Sequence, residues 1–158
     1  MTSVEEYKSN KIVESQIPKD EIKEVSPMPA RIANGDRKPR ILFVDDDESI
    51  RDLMELHFQT KGLEAVFAVD GVDALGKFKK DSFDVVFTDR TMPRMDGDRL
   101  VPEIRRIDPH VRIVMASGRN ISAEDKARIN ADVYVEKPFR LSEIDRLLRQ
   151  FGVLRDTV

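Results

Sequence analysis

The sequence predicts a doubly wound α/β sandwich, with a five-stranded parallel sheet in the order 2-1-3-4-5 flanked by five helices. Three observations predict it. Five apolar runs of strand length recur between residues 41 and 135. Segments with a 3.6-residue apolar period separate them. The runs are continuously apolar rather than alternating, as expected of strands covered on both faces. Right-handed crossovers with one reversal of winding then favour this strand order.

The first strand is Ile41–Val44 (ILFV), followed by four acids, Asp45–Glu48. Asp47 or Glu48 caps a helix that starts near Ser49. Its apolar stripe is Ile50, Leu53, Met54, His57 and Phe58. The second strand is Ala65–Val69 (AVFAV), and the next helix carries Val72, Leu75 and Phe78, weakened by Gly76. The third strand, Val85–Thr88 (VVFT), runs straight into Asp89. Met92-Pro93 and Asp96-Gly97 then make a loop before a third stripe of Leu100, Ile104 and Ile107. Pro102 within it lacks an N–H and predicts a late start or a kink. The fourth strand is Arg112–Ala116 (RIVMA). A more polar helix over Ala123–Asn130 follows, with Ser122 as N-cap and Glu124 and Asp125 in its first turn. Val133–Val135 (VYV) is the fifth strand, and Ile144, Leu147, Leu148 and Phe151 form the last stripe.

Composition narrows the function classes. The 158 residues suffice for one domain, and 40% hydrophobic with 36% charged residues suit a soluble globular chain. A net charge of −3 offers no basic groove for nucleic acid. The absence of cysteine excludes disulfides and thiolate metal sites. No apolar run reaches the roughly 18 residues needed to span a bilayer, and no signal-peptide core is present, so a cytoplasmic protein is expected.

Residues 1–38 differ in kind. Seven acids there balance seven bases, and Pro18, Pro27 and Pro29 interrupt a sparse apolar content. A largely disordered tail is expected. Ser3 and Glu6 have capping-box spacing, and Val13 and Ile17 stand a helical turn apart. Residues 4–17 are therefore either a fraying solvated segment or a docking helix that orders on a partner.

In such sheets a ligand site forms beyond the carboxyl ends of the strands, near the switch point between strands 1 and 3. Strand 1 ends in Asp45-Asp46-Asp47-Glu48, strand 3 in Asp89 and strand 4 in Ser117-Gly118, while Glu136-Lys137-Pro138-Phe139 follows strand 5. Converging carboxylates repel unless one is protonated or a cation is near. A hard divalent cation fits, and Mg²⁺ typically takes one or two carboxylates with waters and phosphate oxygens. A carboxylate beside Mg²⁺ and an ammonium is suited to accept a phosphoryl group. Singly, each residue also has a bland reading: a helix cap, a turn former, a solvated lysine. Jointly, four strand ends carrying complementary groups favour a site.

These motifs resemble the receiver domain of two-component response regulators over roughly residues 39–152. They are ILFVDDDESIR, DVVFTDRTMPRMDG, VMASG and ADVYVEKPF. The resemblance implies a flavodoxin-like receiver fold with Asp89 as the phosphoacceptor. It implies that Asp45, Asp46, Asp89 and the Thr91 backbone carbonyl hold Mg²⁺, and that Lys137 pairs with the phosphate. Ser117 is implied as the hydroxyl that turns toward the phosphoryl group, and Tyr134 as the aromatic switch. Tyr134 also suits a plain strand core. The Lys137-Pro138 bond resembles the family's cis peptide. Arg90, Thr91 and Arg119 occupy positions that tune phosphoryl lifetime in this family. His57, beside Leu53 and Phe58, reads as a boundary residue and His110 as a turn residue, so neither is taken as a relay histidine.

The expected function is a phosphorylation-dependent switch loaded by a sensor histidine kinase or a histidine phosphotransfer protein. It would signal to a protein target through the surface of the fourth helix, fifth strand and fifth helix, with a phosphorylation-dependent homodimer as one form. It is not expected to be an enzyme on external substrates or to touch nucleic acid directly. The domain is expected over 39–154, with 155–158 a short end and no output domain, either as a stand-alone regulator or as a receiver fragment. A haloacid-dehalogenase-type phosphatase is the rival reading, but Arg90-Thr91 follow Asp89 where those enzymes resemble DxDx[TV]. A pseudo-receiver that binds partners unphosphorylated is the other.

Overall fold

A computed structural model describes residues 37–155. The elements run β1 (Arg40–Val44), α1 (Glu48–Thr60), β2 (Glu64–Ala68), α2 (Gly71–Lys80) and β3 (Val85–Asp89). They continue with α3 (Gly97–Ile107), β4 (Arg112–Ser117), α4 (Ala123–Ile129), β5 (Val133–Glu136) and α5 (Leu141–Gln150). All strand pairings are parallel and the order is β2-β1-β3-β4-β5, as the sequence predicts. Residues 1–36 of the expected 1–38 tail, the segment 4–17 with them, and residues 156–158 of the 155–158 end lie outside the described residues. Arg37, assigned to that tail, is already packed: its guanidinium makes two bonds of 2.9 and 3.0 Å to the Asp84 carboxylate.

Alternation along the strands splits the core into two layers. Ile41, Phe43, Val85, Phe87 and Val114 face α1 and α5, where they meet Met54, Phe58, Ile144 and Leu148. Leu42, Val44, Val86, Ile113 and Met115 face α2, α3 and α4, meeting Phe78, Leu100, Ile104 and Ile129. Three of the predicted helix stripes have an outlier, while the last, Ile144 to Phe151, is buried throughout. Leu53, Val72 and Ile107 share the expected period yet are 46%, 43% and 46% exposed. Each lies at the margin of its stripe, where the helix turns away from the sheet.

Asp47 is the cap of α1, its side chain accepting from the Ser49 N–H. Pro102 does not delay α3, which runs from Gly97 through it. His57 is more than a boundary residue: its Nε2 lies 2.7 Å from Asp145 on α5, and Lys61 stands 3.5 Å from the same carboxylate.

The loop after β3 is clasped to the start of α2. Asp70 caps α2 by accepting from Asp73 N–H at 2.9 Å, and its other oxygen takes Arg94 Nε at 2.6 Å. Arg94 itself sits at φ 62°, in the left-handed region. Gly71 N–H donates to the Met95 carbonyl at 3.0 Å, and a Cβ at Gly71 would collide with that carbonyl. Burial pushes the Asp70 carboxyl up, but Arg94 and the Asp73 N–H outweigh it and hold the group below the usual carboxylate range. A depressed folded pKa stabilises above the unfolded value and is lost as pH falls through the folded one. Arg94→Met is therefore expected to lower the urea midpoint at pH 7. The variant and wild type should converge as the pH falls below the ordinary carboxylate pKa. A deficit that persists undiminished in acid would contradict the pairing.

Candidate functional site

β1 and β3 are adjacent, so their carboxyl ends deliver their acids to one rim. The carboxylates of Asp45, Asp46 and Asp89 have oxygens within 4.8 Å of one another. Asp45 is buried and Asp46 exposed, with Asp89 between them. From the loop after β5, Lys137 Nζ reaches both Asp45 Oδ2 and Asp89 Oδ2 at 3.1 Å. The Lys137 backbone N–H donates to Ser117 O at 2.8 Å, and the Lys137-Pro138 bond is cis.

Asp45 is held from three sides. Its Oδ1 accepts from the Asp47 N–H at 2.9 Å, Lys137 holds Oδ2, and its carbonyl accepts from Arg51 Nη1 at 2.8 Å. Arg51 escaped the sequence reading, although its place one turn into α1 puts it within reach of the acidic turn. Asp89 owes its position to backbone ties. Thr88 Oγ1 donates to its carbonyl at 2.9 Å, and a Cβ on Gly97 would stand 2.5 Å from that same oxygen. The helix start of α3 can approach this closely only as glycine.

Burial raises the pKa of Asp89; Lys137 opposes that shift and Asp45 adds to it. Lys137 is raised despite burial, because Asp89 and Asp45 favour the ammonium. Three carboxylates thus face one ammonium, an excess of negative charge that a divalent cation would balance. The donor set is all oxygen, which suits a hard cation such as Mg²⁺.

The remaining predicted residues surround this cluster, not all of them touching it. Ser117 is buried, its Oγ donating to Arg119 O at 2.8 Å and accepting from Arg119 N–H at 3.2 Å, so its hydroxyl is engaged by the β4–α4 loop. Tyr134 points at α4: its hydroxyl donates to Lys126 O at 2.9 Å and accepts from Ala131 N–H at 3.1 Å. Burial raises the phenol's pKa. Thr91 is exposed on the rim two residues past Asp89, and Arg119 is exposed on the β4–α4 loop. Arg90 is not brought to the carboxylates; its guanidinium is bound to Asp98 and Asp125.

Known proteins resemble this chain in sequence and in fold. The chain matches the response regulator receiver domain family over residues 41–149. It is 38% identical over 122 residues to a probable transcriptional regulator, ycf27, of Guillardia theta, covering 76% of this chain and 47% of that protein. It is 32% identical over 111 residues to the transcriptional regulatory protein RprY of Bacteroides fragilis, covering 69% of this chain and 47% of that one. The chain thus spans about half the length of these curated relatives. Among solved structures it resembles chemotaxis protein CheY4 of Vibrio cholerae, with a TM-score of 0.67 and 30% identity over 73% of this chain and 99% of that one. The response regulator TrrA of Thermotoga maritima, solved in complex with Mg(2+)-BeF, gives 0.65 and 31% over 72% and 98%. The names of the two curated relatives place them in transcription, so the expectation of no direct nucleic-acid contact draws no support from them. Among the described residues no helix is long and apolar enough to cross a membrane. With its motifs, strand order and acidic rim in agreement, the chain belongs to the response regulator receiver family of two-component systems.

Proposed function

We propose that the chain is a phosphorylation-dependent switch whose phosphoacceptor is Asp89. The observation that carries this is Lys137 Nζ at 3.1 Å from both Asp45 and Asp89, within a rim of three carboxylates. A carboxylate oxygen of Asp89 would attack phosphorus as the bond to the donor histidine's nitrogen breaks. The imidazole leaves with that electron pair. Lys137 stabilises charge on the phosphoryl oxygens, and the buried wall behind Asp89 limits access of water. Mg²⁺, when held by Asp45, Asp46, Asp89 and the Thr91 carbonyl, would supply further neutralisation of those oxygens.

Ser117 then exchanges its bonds to Arg119 for the phosphoryl group, and Tyr134 gives up its hold on α4. This shifts the population presented by the α4–β5–α5 surface. Thr91 and Arg119, exposed on the rim, set how readily water reaches the phosphoryl group. Residues 39–154 form the receiver unit, loaded in the cytoplasm by a sensor histidine kinase or a histidine phosphotransfer protein and read by a protein target or a second copy. Turnover is confined to its own phosphoryl group. The phosphatase reading lacks the second acid, since Arg90-Thr91 follow Asp89.

Incubation with acetyl phosphate and Mg²⁺ should add one phosphoryl group to the intact mass, and EDTA should prevent it. No mass gain with Mg²⁺ present would sink this reading, and steady phosphate release from a generic phosphoester would favour the phosphatase.

A further inference from the structure

Arg90 follows the phosphoacceptor directly, yet its side chain leaves the site and closes an ionic ring. It donates to Asp98 on α3 through Nε at 2.9 Å and Nη2 at 3.1 Å, and to Asp125 on α4 at 2.9 Å. Arg128 on α4 completes the ring, reaching Asp98 at 3.2 Å and Asp125 at 2.9 Å. Each acid sees both bases. Asp98 and Asp125 favour the Arg90 guanidinium, and Arg128 and Arg90 hold Asp125 below the usual carboxylate range.

The backbone of Arg90 is tied as firmly as its side chain. Its N–H donates to Ala116 O at 2.8 Å, one residue before Ser117, and its carbonyl accepts from Gly97 N–H at 2.7 Å. A tether anchored here is anchored to the frame of the phosphorylation site.

The helix at its other end is weakly held by apolar burial. α4 has seven residues, of which only Ile129 is buried, whereas α3 buries four. A helix that short is marginal without tertiary ties. Its polar ties therefore decide its position: the Arg90 ring through Asp125 and Arg128, the Tyr134 hydroxyl on Lys126 O at its middle, and Arg105 Nε on the carbonyl of its C-cap Asn130 at 3.0 Å.

We propose that Arg90 is a positioning residue that latches α4 to the phosphoacceptor loop, and that phosphorylation of Asp89 works against this latch. The inference rests on Asp89 being the phosphoacceptor. When Ser117 gives up Arg119 for the phosphoryl group, the β4–α4 loop loses its anchor and the ring is the tie that still joins α4 to the phosphoacceptor loop. Coupling is reciprocal, so weakening the ring favours the phosphorylated form.

The ring's side chains are 17–56% exposed, so each pair is of the surface kind, and the expected effects are roughly two- to fivefold. The test compares wild type, Arg90→Ala, Asp98→Asn and the double variant. Asp98→Asn leaves both the site and the sequence of α4 untouched. Hydrogen exchange over residues 123–129 and the initial rate of mass gain from acetyl phosphate with Mg²⁺ are measured for each. Both single variants should raise exchange and rate by that factor, and the double variant should exceed each, because Arg90→Ala still keeps Arg128 on Asp98 and Asp98→Asn still keeps Arg90 on Asp125. Unchanged exchange in both single variants overturns the latch. Raised exchange with an unchanged rate overturns its coupling to phosphorylation. A wild type that gains no mass sinks the phosphoacceptor reading and the coupling with it, and exchange alone then decides whether the ring holds α4.

Discussion

Asp89→Asn is expected to abolish phosphoryl incorporation from acetyl phosphate while leaving the fold intact. Asparagine keeps the shape of the side chain but removes the anionic oxygen that attacks phosphorus. The neighbours survive the change: Lys137 retains Asp45 at 3.1 Å, and Asp45 keeps its bond from the Asp47 N–H. Removing a charge that burial disfavours adds no destabilising term of its own. The circular dichroism spectrum and thermal midpoint should therefore stay close to wild type while the mass gain disappears. A mass gain of full size in the variant would place the phosphoryl group elsewhere. Asp46 would then be the first residue to examine, as the exposed member of the cluster.

Phe58→Ala should cost about 3–5 kcal/mol of folding stability. Phe58 is 1% exposed and stands at the centre of an aromatic group between α1 and the sheet. Its ring centroid lies 6.1 Å from Phe43, 6.3 Å from Phe67 and 6.4 Å from Phe87. Those neighbours belong to three different strands, so no single backbone shift can close the void that alanine leaves. With a urea dependence of roughly 2 kcal/mol per molar, the midpoint should fall by about 2 M. A fall of less than about 0.5 M would mean that the layer collapses around the vacancy. Phe43 and Phe87 lie two residues ahead of Asp45 and Asp89, so the loss should also loosen the rim.

The strands were legible because burial on both faces leaves an uninterrupted apolar run, and the site was legible because the strand ends point to one rim. Asp89 closes β3 and Asp45 follows β1, as the alternation of runs and acids implies. Periodicity names a helix face but not its width, which is why Leu53, Val72 and Ile107 counted as core and emerged exposed. Pro102 predicts a late start or a kink in α3, and the start is not late: the helix begins at Gly97 and runs through the proline, with Leu100, Val101 and Ile104 buried. The least legible features are ion pairs between elements. Asp125 and Arg128 show their i,i+3 spacing in the sequence. Nothing in the spacing of Arg90, Asp98 and Asp125 announces that tertiary packing joins them, nor that His57 meets Asp145 across two helices.

The strand order also has a consequence in time. β1 is the first strand of this sheet to leave the ribosome, yet it belongs inside the sheet, bonded to β2 on one side and to β3 on the other. Its pairing with β3, Ile41 with Val85, waits until all of the intervening chain has been made. Parallel pairing across such separations is slow, because the loop must close before its contacts reward it. During synthesis the nascent chain therefore carries an apolar ribbon, ILFV, with one side unmatched. The acids Asp45–Glu48 directly behind it help keep that ribbon soluble until its partner strands arrive.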